Sequence, residues 1–364
     1  MRESTPALPD PLAQFSPAVA RWFRNELGEP TPAQAFAWPA IAEGAHTLLL
    51  APTGSGKTLA AFLFAIDRLL TELAAPEAVH TLYISPLKAL GYDIEHNLQV
   101  PRAGIRATAH DHGIALPEIR VGVRTGDTPP ADRQRLVRRP PHILITTPES
   151  LHLILTSPRA RATLRDVRTV IVDEVHAVVD NKRGTFLSVL LERLEELGAR
   201  PFQRIGLSAT IRPLEEVARF LGGYSEDGGA FRERAVRIVD AGLRKELDLR
   251  VVAPTPDMAY LPEGSIWPSI YARIHDLVLN HRSTIVFVNN RRTAERVAAE
   301  VNELAQVHHG SVSWERRREL EERLKRGEFP ALVATARLEL GIDMGLVDLV
   351  IQVESPHGVA RGLQ

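Results

Sequence analysis

The chain has 364 residues, of which 44% are hydrophobic and 24% are charged, and its formal net charge at pH 7 is −1. This composition is typical of a globular protein with a full core and length for two domains, and the charge alone does not indicate a nucleic-acid binder. The chain has no cysteine, which excludes a disulfide framework and a thiolate metal site.

The N-terminal residues 1–15 are polar and proline-rich, and they lack the apolar segment of a signal peptide. No apolar run in the sequence approaches the length that spans a membrane. Together with the missing cysteines, these features favour a cytoplasmic protein with no membrane partner.

Short apolar runs in the first two-thirds of the chain are typical of buried parallel strands. They occupy residues 47–51, 81–85, 142–146, 169–172 and 204–208. Helical patterns such as 58–73 and 186–197 separate most of them, and this alternation predicts a doubly wound α/β sheet. Each run is followed by a polar, glycine- or proline-bearing cluster, at the strand ends where such sheets bind ligands.

The strand–helix alternation breaks after residue 223 and resumes beyond the proline-rich stretch 251–268. We therefore predict a first domain over residues 1–240, a connector over 241–265 and a second α/β domain over 266–364. The second series contains predicted strands at 283–290, 331–336 and 349–353. Between them, Glu319–Arg323 and two further i,i+4 pairs indicate a solvated surface helix.

Residues 51–58, APTGSGKT, have the pattern of a phosphate-binding loop between a strand and a helix. Gly54 and Gly56 let successive N–H groups face an anion, and the helix beginning at Thr58 adds its positive dipole end. Lys57 would contact the β- and γ-phosphates, and the Thr58 hydroxyl would bind Mg²⁺. The alternative, a chance glycine-rich turn, is disfavoured by this context. The predicted nucleotide-binding residues here are Thr53, Gly54, Ser55, Gly56, Lys57 and Thr58.

The sequence VIVDEVH at 170–176 places Asp173 and Glu174 at the end of a buried strand. Two carboxylates there repel each other and lose solvation unless a cation neutralises them. We predict that Asp173 holds Mg²⁺ and that Glu174 orients and deprotonates the attacking water. A capping acidic pair is the alternative. Both motifs together predict a nucleoside triphosphatase.

The other motifs follow the order of a superfamily 2 helicase. PTPAQ (30–34), SPLKAL (85–90), TTPES (146–150) and SAT (208–210) accompany the loop and DEVH, and the sequences at 287–295 and 334–343 resemble motifs IV and V. Finer features, DNKRG (180–184), 205–223 and SPHGVARGLQ (355–364), resemble the core of the large helicase-related (Lhr) proteins, a bacterial and archaeal DExH family. The resemblance implies two tandem RecA-like P-loop domains, the second incomplete.

The resemblance also implies roles for single residues. Gln34 matches the glutamine that reads adenine, which makes ATP the implied cofactor; an ordinary exposed helix residue is the alternative. Strand-end loops suit phosphate contacts that carry no sequence information. For Thr147–Pro148, taken alone, a strand-terminating turn is the preferred interpretation. The positions implied to bind nucleic acid are Pro86, Lys88, Arg124, Gly126, Thr147, Pro148, Glu149, Asn289 and Thr335.

Four further positions match residues that link hydrolysis to movement or close on the nucleotide: Ser208, Thr210, Gly341 and Asp343. His176 is implied to be a catalytic hydrogen-bonding relay, with a passive interior histidine as the alternative. Ala336–Arg337 stand where Lhr-like proteins usually carry two serines, which puts this coupling in doubt.

The resemblance places Gln364 at the opening of motif VI, whose arginines reach the γ-phosphate. We therefore expect a fragment of a longer helicase with weak hydrolysis. The expected function is an ATP- and Mg²⁺-dependent helicase or translocase on single-stranded DNA or an RNA:DNA hybrid, 3′ to 5′, in DNA repair, with no obligate protein partner. The alternative is an ATP-dependent nucleic-acid-binding module without unwinding activity.

Overall fold

The structure is a computed structural model that divides into two compact units, residues 1–243 and 244–364. The predicted first domain ends at residue 240, close to this division. The described residues are 10–52, 54–72, 78–86, 88–209 (backbone only for 88–93), 212–241, 248–255, 264–301, 304–308, 316, 319–320, 323–324, 326–335 and 347–355. None of the described helices is both long enough and apolar enough to cross a membrane.

The first unit alternates strands and helices. Its helices are α1 Pro17–Glu26, α2 Pro32–Ala42, α3 Lys57–Glu72, α4 Lys88–Asp111, α5 Pro130–Arg138, α6 Pro148–Thr156, α7 Pro158–Ala162, α8 Lys182–Leu197 and α9 Leu214–Gly222. Its strands are β1 His46–Leu50, β2 Thr81–Ile84, β3 Val121–Arg124, β4 Ile143–Thr146, β5 Thr169–Val172, β6 Gln203–Ser208, β7 Tyr224–Asp227, β8 Ala230–Glu233 and β9 Val236–Asp240. Short 3₁₀ turns lie at Pro11–Gln14 and Val175–Ala177.

Seven of these strands form one parallel sheet in the order β3-β4-β2-β5-β6-β1-β9. Strands β2, β4, β5 and β6 are buried along their whole length, as expected when helices cover both faces of a sheet. One apolar cluster packs α1–α4 against one face, and a second packs α6, α8 and α9 against the other. The predicted doubly wound sheet and its five predicted strands are confirmed.

Two parts of the first unit differ from the expectation. The stretch after residue 223 interrupts the pattern because it is an antiparallel hairpin, β7–β8, with both turn glycines, Gly228 and Gly229, at positive φ. Strand β9 then returns to the sheet beside β1, with Leu48 opposite Ile238. Strand β3 was also not predicted, since its four residues include a glycine.

The second unit has its own parallel sheet. Its helices are α10 Trp267–Leu279 and α11 Arg291–Val301, and its strands are β10 Thr284–Val288, β11 Ala305–His308, β12 Ala331–Thr335 and β13 Leu349–Gln352. The strand order is β11-β12-β10-β13. The three predicted strands are present, and β11 adds one that was not predicted. The expected Glu319–Arg323 pair is present at 3.7 Å, and the other two predicted pairs lie outside the described residues.

Candidate active site

Three neighbouring strands of the first sheet bring the predicted nucleotide-site motifs together. Strand β6 lies between β1 and β5, with Ser208 opposite Leu50 and Gly206 opposite Val172. The carboxyl ends of these strands therefore align, so the loop after β1, the acidic pair after β5 and Ser208 at the end of β6 share one edge.

The phosphate-binding loop has the backbone that the sequence predicted. Gly54 and Gly56 both have φ of +79°, a left-handed conformation that side chains disfavour. Ser55 closes the turn, because its hydroxyl donates to the Pro52 carbonyl at 2.6 Å. Lys57 begins α3, is buried, and places its Nζ 3.5 Å from the same carbonyl. Thr58 follows in the first helical turn; Thr53 lies outside the described residues.

Gln34 is not an exposed helix residue, because only 3% of it is accessible. Its side chain completes a capping box at the start of α2, accepting from the Thr31 N–H at 2.9 Å. The Gln34 amide also donates to the Gly56 carbonyl at 3.4 Å, and the Thr31 hydroxyl donates to the Ser55 carbonyl at 2.7 Å. The start of α2 thus fastens the phosphate-binding loop. Adenine recognition by Gln34 stays a prediction.

Asp173 and Glu174 are both almost fully buried. The Glu174 N–H donates to Asp173 Oδ1 at 2.9 Å, and the Tyr83 hydroxyl, from the neighbouring strand β2, donates to Asp173 Oδ2. Burial raises the pKa of Asp173. Burial and then the Asp173 charge raise the pKa of Glu174 to about 7, although Lys57 opposes this. A cation next to this pair would relieve both effects.

Glu174 also has an unusual backbone, with φ 48° and ψ 47°. A non-glycine residue in this left-handed region carries strain, which is common at functional sites. The turn starts the 3₁₀ segment Val175–Ala177 and directs His176 back towards the acidic pair.

His176 connects the acidic pair to the end of β6. Its Nε2 lies 3.3 Å from Glu174 Oε2, and its Nδ1 lies 3.2 Å from Ser208 Oγ. The Ala209 N–H donates to the same Nδ1 at 3.2 Å, so Nδ1 is an acceptor and the proton of the neutral ring is on Nε2. Burial, and then the charge of Lys57, lower the pKa of His176 to about 4. The ring therefore stays neutral, with its Nε2–H 3.3 Å from Glu174 Oε2, and the relay role of His176 stays a prediction.

The donors at this site suit Mg²⁺, which prefers oxygen ligands and keeps water and substrate phosphate in its shell. Asp173 supplies a carboxylate and Thr58 a hydroxyl. Across the part of the chain that the structure describes, no group of three or more His, Asp or Glu side chains could hold a metal ion alone. Water and substrate phosphate oxygens would complete the shell of an ion held here.

The other half of the same sheet edge carries the predicted nucleic-acid residues. Strands β3, β4 and β2 are neighbours, with Arg124 and Ile84 both opposite Thr146. Arg124 is half-buried at the end of β3, and Gly126 is exposed in the following turn, where Arg133 donates to its carbonyl at 2.7 Å. Burial, and then the charge of Arg133, lower the pKa of Arg124. Arg133 was not identified from the sequence.

Thr147 and Pro148 start helix α6. The Thr147 hydroxyl accepts from the Ser150 N–H at 3.3 Å, and Pro148 occupies the first helical position, where its missing N–H costs nothing. Both side chains are buried. This local structure is the strand-terminating turn that was the preferred interpretation for Thr147–Pro148 taken alone. A phosphate at this position would contact backbone groups and not these two side chains. Glu149 is exposed and paired with Arg183 at 2.8 Å.

Two family matches cover most of the chain. Residues 31–218 match the DEAD/DEAH box helicases, and residues 269–364 match the helicase conserved C-terminal domain. The chain belongs to the DEAD/DEAH box helicase family. This confirms the predicted superfamily 2 assignment and, with the two parallel sheets, the predicted pair of RecA-like domains.

The helicase resembles Lhr proteins over nearly its whole length. It is 51% identical over 98% of its residues to the Lhr helicase/probable uracil glycosylase of Mycolicibacterium smegmatis, and 46% identical over 95% to the ATP-dependent helicase Lhr-Core protein 2 of Thermococcus barophilus. The solved structure of Mycobacterium smegmatis helicase Lhr bound to ssDNA and AMP-PNP matches 97% of the chain with a TM-score of 0.84 at 55% identity. The predicted resemblance to Lhr is confirmed.

The chain spans only part of these relatives. It covers 26% of the M. smegmatis protein, 41% of the T. barophilus protein and 46% of the chain in the solved structure. The similarity therefore concerns the two helicase domains and not the remainder of those proteins.

The second unit of the helicase holds the last predicted site residues. Asn289 follows β10 and donates to Glu354 Oε2 at 2.9 Å and to the Ser355 carbonyl at 3.2 Å. Thr335 ends the neighbouring strand β12, opposite Val288, and is half-buried. The remaining predicted positions lie outside the described residues: Thr210, Gly341, Asp343 and the side chain of Lys88, together with Ala336–Arg337.

Proposed function

We propose that this helicase binds ATP and Mg²⁺ in its first unit and uses hydrolysis to move along single-stranded nucleic acid. The observation that carries this proposal is the shared edge of β1, β6 and β5, which combines Lys57, the Asp173–Glu174 pair and a histidine that reaches Ser208. The solved Lhr relative bound to ssDNA and AMP-PNP supports both ligands.

The loop residues would bind the phosphates. Successive N–H groups around Gly54 and Gly56, with the start of α3, would receive phosphate oxygens, and the buried Lys57 ammonium would turn from the Pro52 carbonyl to the β- and γ-phosphates. Asp173 and Thr58 would hold Mg²⁺, which when bound supplies positive charge to the phosphate oxygens.

Glu174 would accept the proton of the attacking water. Mg²⁺ held by Asp173 would offset the rise in the pKa of Glu174 that burial and the Asp173 charge cause, so the carboxylate would be ionised and able to accept the proton. His176 Nε2–H, 3.3 Å from Glu174 Oε2, would hold that carboxylate in place. A shift of Glu174 during hydrolysis would move the His176 ring and so change the contact between its Nδ1 and Ser208 Oγ. The water oxygen would then bond to the γ-phosphorus while the bond from that phosphorus to the β–γ bridging oxygen breaks, and ADP would leave with the bridging oxygen and its electron pair.

The finer features of the function rest on the Lhr resemblance. We propose single-stranded DNA or the single strand of an RNA:DNA hybrid as the track, 3′ to 5′ as the direction and DNA repair as the setting. Weak hydrolysis by the 364-residue chain stays a prediction, which turnover measured with and without ssDNA would check. A binding module without unwinding activity remains the second candidate, and a strand-displacement assay beside a binding assay separates the two.

Lys57→Ala tests the nucleotide site directly. We expect the variant to bind a fluorescent ATP analogue with Mg²⁺ at least about tenfold more weakly, because a charge-assisted phosphate contact is lost. Arg200→Ala, which removes an exposed cation elsewhere in the first unit, is the matched control. Lys57→Ala binding as tightly as the parent would refute the proposal.

A further inference from the structure

The DNKRG segment, residues 180–184, starts α8 shortly after the acidic pair in the chain, and its Arg183 pairs with the predicted nucleic-acid residue Glu149. We propose that Arg183 is a positioning residue that holds the nucleic-acid loops after β2 and β4 in fixed relation to the segment that follows Asp173–Glu174. This inference rests on the proposed function and identifies how the nucleotide and nucleic-acid halves of the edge are linked.

Arg183 contacts both loops at once. Its Nε donates to Glu149 Oε1 at 2.8 Å, in the first turn of α6 after β4. Its Nη2 donates to the Pro86 carbonyl, after β2, also at 2.8 Å. The planar guanidinium has the fixed fork geometry that such a bridge requires, which a lysine ammonium lacks.

The backbone that carries Arg183 is tightly held. Asn181 caps α8 by accepting from the Arg183 N–H at 3.0 Å, and its Nδ2 donates to the Ala177 carbonyl at 2.9 Å. Gly184 packs against the Val178 carbonyl so closely that a Cβ would overlap this oxygen and come within 3.2 Å of the Val179 Cα. Two contacts therefore hold the segment 177–184, which follows the acidic pair and carries Arg183, in one local arrangement.

The charges also indicate a positioning role. Glu149 is exposed on an edge that should attract phosphates, where a free carboxylate would repel them. Partial burial raises its pKa, but hydrogen bonds from its own backbone and from Arg183 outweigh this and lower the pKa, so Glu149 is ionised and paired. The charges of Arg183 and Glu149 therefore neutralise each other. In this arrangement Glu149 supports Arg183 and does not itself bind the nucleic acid, which differs from the role that the Lhr resemblance implied for it.

The test uses ssDNA binding by the 364-residue chain with AMP-PNP and Mg²⁺, followed by fluorescence anisotropy, with binding of the fluorescent ATP analogue as a second readout. We expect Arg183→Ala to weaken ssDNA binding about tenfold and to leave nucleotide binding within about twofold. Arg183→Lys should behave like Arg183→Ala because it keeps the charge but not the fork. Arg219→Ala, which removes a surface ion pair with Glu233 in the same unit, should match the parent.

Glu149→Gln is the most informative variant, because a carboxylate that repels phosphates and a carboxylate that anchors Arg183 predict changes in ssDNA affinity of opposite sign. If Glu149 only stood near the phosphates, removing its charge would tighten ssDNA binding; if it anchors Arg183, binding weakens. The double variant Arg183→Ala/Glu149→Gln should bind no more weakly than Arg183→Ala alone, since both changes break one contact.

Tighter binding by Glu149→Gln, additive losses, full retention by Arg183→Lys, or Arg183→Ala within twofold of the parent would each overturn the inference while leaving the proposed function in place. A parent chain that binds the ATP analogue but no ssDNA would overturn the proposed function itself, and the inference with it.

Discussion

Tyr83→Phe examines the hydrogen bond that holds the predicted Mg²⁺ ligand. The Tyr83 side chain is fully buried, its ring stacks on Phe62 with centroids 5.0 Å apart, and its hydroxyl donates to Asp173 Oδ2. Phenylalanine keeps the ring and removes only the donor, so the packing stays and one contact is lost.

The expected magnitude follows from the type of contact. A hydrogen bond to a charged group contributes about 1.5–3 kcal/mol, more where water has no access, which corresponds to roughly 10–100-fold in a binding constant. Partners that orient metal-binding carboxylates have effects of the same size, about 10–100-fold. After the change, Asp173 would keep the Glu174 N–H as its remaining described donor at 2.9 Å. We therefore expect the Mg²⁺ concentration for half-maximal nucleotide binding to rise roughly 10–100-fold.

The assay is a Mg²⁺ titration of fluorescent ATP-analogue binding, with far-UV circular dichroism to verify the fold. Tyr271→Phe is the matched control, because in the described part of the chain the buried Tyr271 hydroxyl has no hydrogen-bond partner. An unchanged Mg²⁺ requirement in Tyr83→Phe, or an equal shift in the control, would show that Tyr83 does not position Asp173.

The other predictions concern stability. Gly56→Ala and Gly54→Ala share the cost of a left-handed residue, about 1–2 kcal/mol, but only the Gly56 Cβ would lie 2.6 Å from Gln34 Nε2. Gly56→Ala should therefore lower the melting temperature more, and equal losses would contradict the contact. Burial, and then the charge of Arg204, lower the pKa of His46 from 6.5 to about 4. The unfolded chain therefore binds this proton at a higher pH than the folded chain does. Protonation of His46 costs no stability above pH 6.5, and the free energy of unfolding falls as the pH drops from 6.5 towards 4. The Arg204 N–H donates to His46 Nδ1 at 3.1 Å, and the side-chain oxygen of His46→Asn could accept the same bond. Between pH 7 and 5 the parent should lose roughly 1–2 kcal/mol more than His46→Asn; parallel pH profiles would refute this.

The sequence was sufficient to predict a strand wherever a local pattern of residues determines it. The strands at 81–84, 143–146 and 169–172 are short, mainly apolar runs, and such runs are typical of the buried middle of a parallel sheet. Strand β9 was missed for the opposite reason. It lies at the sheet edge with mixed exposure and follows a hairpin, so only its pairing with β1 identifies it.

The missed site residues depend on contacts between distant segments. Tyr83 meets a carboxylate 90 positions later, and Arg183 meets one 34 positions earlier. A signal for Tyr83 was present, since the hydroxyl of a tyrosine buried within an apolar run such as TLYIS usually has a hydrogen-bond partner. The sequence does not specify that partner, because it follows from β2 lying beside β5.

These two residues also explain how the halves of the edge are joined. Tyr83 lies in strand β2 and donates a hydrogen bond to Asp173. Pro86 follows the same strand, and its carbonyl accepts a hydrogen bond from Arg183, which lies nine positions after Glu174 in the chain. Two hydrogen bonds thus connect β2 and the loop after it to the segment 173–183: Tyr83 to Asp173 at one end, and Arg183 to the Pro86 carbonyl at the other. We expect these two contacts to restrict movement of the acidic pair against the predicted nucleic-acid-binding loops. A change at the predicted phosphate site would therefore reach the predicted nucleic-acid-binding loops through residues of the first unit.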